Sequence, residues 1–170
     1  FHVLMLHWSI IHRESLQLAF RGAGKTTSVE IVRIIHSIVK NRDIRVLIAS
    51  KTQSFAQDIL REIKQHLEEN ERFREVFGDL VDLETKWDQT EIQVRGRTKP
   101  MKESTITCVG IGGQLIGKHF DAAYGDDLVD EDNSRTESGR KTVHTWFYKV
   151  LHPTLEPHAA VRALDADATH

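Results

Sequence analysis

Apolar residues recur along this chain with two periods, and the periods alternate. Leu16-Gln17-Leu18-Ala19-Phe20 reads as a short strand. Ile31, Ile34, Ile35 and Ile38 follow i, i+3, i+4, i+7 spacing, which predicts a helix with a wide apolar face. Arg45-Val46-Leu47-Ile48-Ala49-Ser50 is a continuous apolar run with a polar end, the pattern of a buried parallel strand. Ser50 and Gln53 have capping-box spacing for a second helix. That helix carries Phe55, Ile59, Ile63 and Leu67 on one face and runs to about Asn70. Glu91 to Arg95 alternates like a half-exposed strand, and Thr105 to Val109 reads as another. Gly110, Gly112, Gly113 and Gly117 then mark a turn-rich connection. Val143, Trp146, Phe147, Val150 and Leu151 define a last amphipathic helix, starting near Ser134 or Thr136 and ended by Pro153 and Pro157. His158 to His170 shows no clear strand pattern. The alternation predicts a three-layer α/β domain, a largely parallel sheet flanked by helices.

Composition narrows this picture without redirecting it. A length of 170 residues fits one domain with a sizeable core. A net charge of -2 gives no electrostatic case for a general nucleic-acid binder. A local basic patch stays open at Arg97, Lys99 and Lys102, where a solvated turn is the default reading. Cys108 is the single cysteine, so no internal disulfide forms, and its apolar neighbours suggest a packed thiol. No run approaches the roughly 18 apolar residues that span a membrane. The apolar opening, Phe1 to Trp8, lacks a basic flank and reads as core or partner-facing surface rather than a signal peptide.

The candidate chemistry starts at Ala19-Phe20-Arg21-Gly22-Ala23-Gly24-Lys25-Thr26. This meets the phosphate-loop pattern G-x-x-x-x-G-K-[ST] at Gly24, Lys25 and Thr26, with Ala19 where the first glycine is expected. Such a loop works because successive backbone N–H groups form an anion nest at a helix N-terminus. Gly22, Ala23, Gly24, Lys25, Thr26 and Thr27 would cradle a triphosphate. Lys25 would reach the β and γ phosphates, and the Thr26 hydroxyl would hold Mg²⁺. The strand before the loop and the helix after it favour this reading over a glycine-rich turn.

A second acidic site follows at His119-Phe120-Asp121-Ala122-Ala123-Tyr124-Gly125-Asp126-Asp127. A weakly apolar strand runs into two adjacent carboxylates. Asp126 would bind Mg²⁺, directly or through water, and Asp127 would polarise the attacking water. Asp130, Glu131 and Asp132 follow closely, so a solvated acidic loop is the competing reading. The ten histidines show no metal-ligand spacing and no serine sits on a nucleophile elbow, so neither zinc nor Ser-His-Asp chemistry is assigned.

Three segments resemble the ATPase domain of tailed-phage terminase large subunits: LAFRGAGKTT at 18–27, GQLIGKHFDAAYGDDLVDEDNSRT at 113–136 and WFYKVLHPTLEP at 146–157. Members of that family commonly relax the first Walker A position and place an Arg within the loop, as Ala19 and Arg21 do here. The resemblance implies a P-loop NTPase fold of the ASCE/RecA-like type over residues 1–157, incomplete at its C-terminal end, with an atypical tail at 158–170. It implies ATP and Mg²⁺ as cofactors. Lys25 and Arg21 would act on the phosphates, Thr26 and Asp126 would hold the metal, and Asp127 would stand in for a catalytic glutamate. Arg135 would be a candidate charge-stabilising arginine toward a neighbouring subunit. Double-stranded viral DNA, a portal protein, a terminase small subunit and a homo-oligomeric ring are the implied partners, in the host cytoplasm and without a membrane. The strand with a coupling motif and the nuclease domain that follow in family members are not recognisable here. A helicase-like P-loop motor and a truncated nucleotide-binding fragment without turnover are the alternatives.

Overall fold

The computed structural model describes residues 3, 4, 7, 8, 12, 14–19, 24 and 26–166. Six strands form one sheet: β1 (Glu14–Ala19), β2 (Val46–Ser50), β3 (Glu91–Ile92), β4 (Ile106–Gly110), β5 (Phe120–Asp126) and β6 (Leu155–Ala166). Their spatial order is β1-β6-β5-β2-β4-β3, and every pairing is parallel except that of β3 with β4. The helices are α1 (Val32–Lys40), α2 (Gln53–Glu69), α3 (Glu71–Phe77), α4 (Glu131–Ser134) and α5 (Glu137–Trp146). A π-helical segment, Thr26–Ile31, leads into α1, and a second, Phe147–Leu151, follows α5.

Side-chain alternation along the strands divides the core into two layers. Val46 and Ile48 of β2, Ile106 and Cys108 of β4, and Ala122 and Tyr124 of β5 pack under Ile34 and Ile38 of α1 and Ile59, Leu60, Ile63 and Leu67 of α2. On the other face, Leu47, Ala49, Val109, Phe120 and Ala123 pack against Trp146 of α5 and Leu151. All five residues of β2 and of β4 are buried, as central parallel strands require. The predicted three-layer α/β arrangement is thus present. Trp146 anchors the second layer, its indole N–H donating to the Gly113 carbonyl over 2.9 Å. Gly110 ends β4 beneath the first turn of α2, where a Cβ would meet the Gln53 nitrogen at 2.4 Å, so only glycine lets the helix start there.

Several local readings are corrected. Residues 155–166, expected to hold no clear strand from 158 onward, form β6, which lies inside the sheet between β1 and β5. Its pairing with β5 jumps from Phe120↔Leu155 to Ala122↔Ala160, and Pro157 falls in the interruption, where a missing N–H costs no ladder bond. The last helix ends at Trp146 before its π-helical turn; Pro153 sits in a short 3₁₀ turn and Pro157 inside β6. The half-exposed strand expected over 91–95 is confined to Glu91–Ile92. The cap of α2 is Thr52, whose hydroxyl accepts from the Phe55 N–H. Ser50 and Gln53 are used elsewhere: the Gln53 amide donates to the Cys108 carbonyl and accepts from the Gly110 N–H. Phe55 faces outward at 49 % exposure, while Ile59, Ile63 and Leu67 are buried. Leu16 is likewise exposed, because β1 lies at the sheet edge.

The N-terminal ends of the strands carry an ionic network. Arg45 donates to both Asp121 oxygens, at 3.0 and 2.8 Å, and to Glu156 at 2.9 Å, and His158 lies 3.1 Å from Asp121. The irregularity in β6 is what brings Glu156 and His158 to this pair. The basic loop is fixed nearby, because the Asp43 carboxylate accepts from Thr98 N, Thr98 Oγ1 and Lys99 N. Those bonds, led by the Thr98 hydroxyl, hold the Asp43 pKa at about 2.

Candidate functional site

Parallel strands point their C-terminal ends the same way, and ligands of open α/β sheets bind outside those ends. Here the C-terminal ends bring together Thr26, Ser50, Lys51, Asp126 and Asp127. Ser50 and Asp126 are register partners on adjacent strands. The Ser50 hydroxyl donates to the Asp126 carbonyl over 2.8 Å, and the Thr26 hydroxyl donates to Asp126 Oδ2 over 2.9 Å. Thr26 and Asp126 stand 100 residues apart in sequence. A cavity of about 250 Å³ opens beside them, lined also by Thr27, Phe55, Asp58 and Glu62.

Asp127 follows directly with φ of 47°, the one described non-glycine residue in the left-handed region. Such backbone costs of order 1–3 kcal/mol and survives where neighbours over-determine it. Those neighbours are visible. Asp130 caps α4 in a reciprocal capping box with Asn133, and the Asn133 amide also donates to the Leu128 carbonyl. Lys51 Nζ lies 3.2 Å from Asp130 Oδ2 and 4.6 Å from the centre of the Phe55 ring. The Asp130 pKa is lowered, first by the Asn133 backbone bond and, against some burial, by Lys51.

Of the predicted site residues, Thr26, Thr27, Asp126 and Asp127 line this one cavity. Gly24 has φ of 64°, a left-handed conformation that suits glycine. Arg21, Gly22, Ala23 and Lys25 lie outside the described residues. Arg135 ends α4 on the surface, paired with Glu131 at 3.1 Å. Ser50 and Lys51 were missed. Their part depends on the β2–β5 register, and the polar end of the apolar run at 46–50 was the one available signal.

The arrangement offers hard oxygen donors to a small divalent cation through the Thr26 hydroxyl and the Asp126 carboxylate. Among the described residues no three His, Cys, Asp or Glu side chains converge as a metal cage. Mg²⁺ bound with phosphates needs none, since one or two carboxylates and phosphate oxygens suffice. The donor set therefore fits a small, hard divalent cation whose remaining ligands come from elsewhere. No helix among the described residues is long and apolar enough to cross a membrane. The chain matches no protein-family model, and no curated protein matches it.

Proposed function

We propose that this chain is a P-loop NTPase of the ASCE/RecA-like type, acting as the ATP-hydrolysing motor domain of a phage terminase large subunit that drives packaging of double-stranded viral DNA. The observation that carries the reading is the 2.9 Å contact between Thr26 and Asp126, which joins the end of the phosphate-loop motif to the first of the paired carboxylates. β6 follows the helix after the acid pair, in the place where the family carries a strand with a coupling motif, though that motif is not recognisable in it.

In this mechanism the amides of Gly22 to Thr27 cradle the phosphates, and Lys25 and Arg21 neutralise their charge. Thr26 and Asp126 would hold Mg²⁺, which would supply positive charge to the phosphate oxygens. Asp127 orients a water and accepts its proton as the water oxygen attacks the γ-phosphorus. The bond to the β-phosphate oxygen breaks, and ADP and phosphate leave. Positioning and electrostatics supply the rate enhancement, without a covalent intermediate. In a ring of subunits in the host cytoplasm, with portal and small-subunit partners, this turnover would move DNA.

Lys25→Ala tests the reading. The variant is expected to stay folded and lose ATP turnover, measured as phosphate release. Unchanged turnover would sink the assignment. Calorimetry that shows ATP binding with no phosphate release at any protein concentration would instead identify a nucleotide-binding fragment.

A further inference from the structure

We propose that Lys51 is a positioning residue for Asp127, acting through Asp130. The inference rests on the nucleotide-hydrolysing reading of the site. Ser50 and Lys51 are consecutive, and they grip the two ends of one turn. Ser50 holds the Asp126 carbonyl at 2.8 Å, and Lys51 holds the Asp130 carboxylate at 3.2 Å. Between those two points lies Asp127 with its left-handed φ of 47°. Asp adopts this backbone more readily than most residues, yet it is a minority conformation that the surroundings must select. The grip from β2 supplies that constraint from outside the turn, while the Asp130–Asn133 capping box supplies it from within.

Lys51 is itself held in place. Its ammonium lies over the Phe55 ring, which gives that outward-facing aromatic a role. Lys51 and Asp130 are both partly shielded, at 31 % and 22 % side-chain exposure. A single ion pair of this kind contributes little to global stability. Its loss is therefore felt locally, in the turn and in the geometry of the carboxylate that faces the cavity.

The test compares Lys51→Met, Asp130→Asn, the double variant and Lys51→Arg. Asparagine still caps a helix, so Asp130→Asn weakens the ion pair and spares α4. Amide hydrogen exchange of residues 127–134 without nucleotide should speed up about tenfold in both single variants, no further in the double variant, with β2 and β5 unchanged. In the same proteins kcat for ATP should fall about tenfold to a hundredfold with KM within about twofold, and Lys51→Arg should restore most of it. Unchanged exchange over 127–134 overturns the proposal, and so does faster exchange with an unaltered kcat. If the parent protein binds ATP without turnover, the hydrolysis reading fails on its own and the exchange measurement still decides whether Lys51 holds the turn.

Discussion

Thr26 Oγ1 and Asp126 Oδ2 stand 2.9 Å apart, the first just beyond β1 and the second at the tip of β5, with β6 between those strands. The pair unites a hydroxyl and a carboxylate that belong to separate sequence motifs. Thr26→Ala should weaken Mg²⁺-dependent nucleotide affinity about tenfold, the loss of one charge-assisted interaction of about 1.5 kcal/mol. Thr26→Ser keeps the oxygen and should stay close to the parent. Titration calorimetry with and without Mg²⁺ separates the two outcomes.

Asp127 combines a left-handed backbone with a carboxylate beside the cavity. Asn tolerates this backbone as well as Asp does. Asp127→Asn should therefore melt at nearly the parent temperature while kcat falls about a hundredfold or more, the scale of a lost general base. Equal turnover in the two proteins would remove Asp127 from the mechanism.

At the opposite end of the sheet, Asp121 has a lowered pKa. Burial pushes the carboxyl up, but the bonds from the Arg45 side chain and backbone outweigh it, with help from His158. A carboxyl depressed in the folded state stabilises the fold above its unfolded pKa of about 3.9 and loses that contribution as pH falls through the folded value. Asp121→Asn should cost about 2–3 kcal/mol near pH 7. The gap between variant and parent should narrow below about pH 4, as denaturant titrations at several pH values would show.

Cys108 is buried under α2 with its thiol donating to the Ala56 carbonyl, and burial first, with nearby carboxylates, pushes its pKa well up. The thiolate is the reactive form, so labelling by a disulfide reagent should be far slower than for an exposed cysteine. Full reactivity should appear only in denaturant, followed by absorbance of the released thiolate.

The sequence carried much of this arrangement and missed the rest for physical reasons. Ile34, Ile38, Ile59, Ile63 and Leu67 announced α1 and α2 because burial on one helical face leaves a periodic trace. Thr26 and Asp126 were legible because each sits at the end of a short motif of restricted residue type and spacing. β6 was not, because its buried Ala159 is small and leaves little apolar signal, and Pro157 and charged residues interrupt the pattern. Ser50 and Lys51 were not, because their partners are set by strand register, and register between distant strands leaves no local pattern. The true cap at Thr52 competed with Ser50 for the same signal.

β1 joins the sheet through β6, its one described neighbour. Residues 14–19 must therefore wait for residues 155–166 before their backbone groups find ladder partners. Loop closure over that span is slow compared with the pairing of β2, β4 and β5. During synthesis β2, β4 and β5 can pair first, while β1 stays an unpaired edge exposed to other chains. β1 is thus among the last strands to join the sheet, after the strands that carry Ser50 and Asp126 have paired.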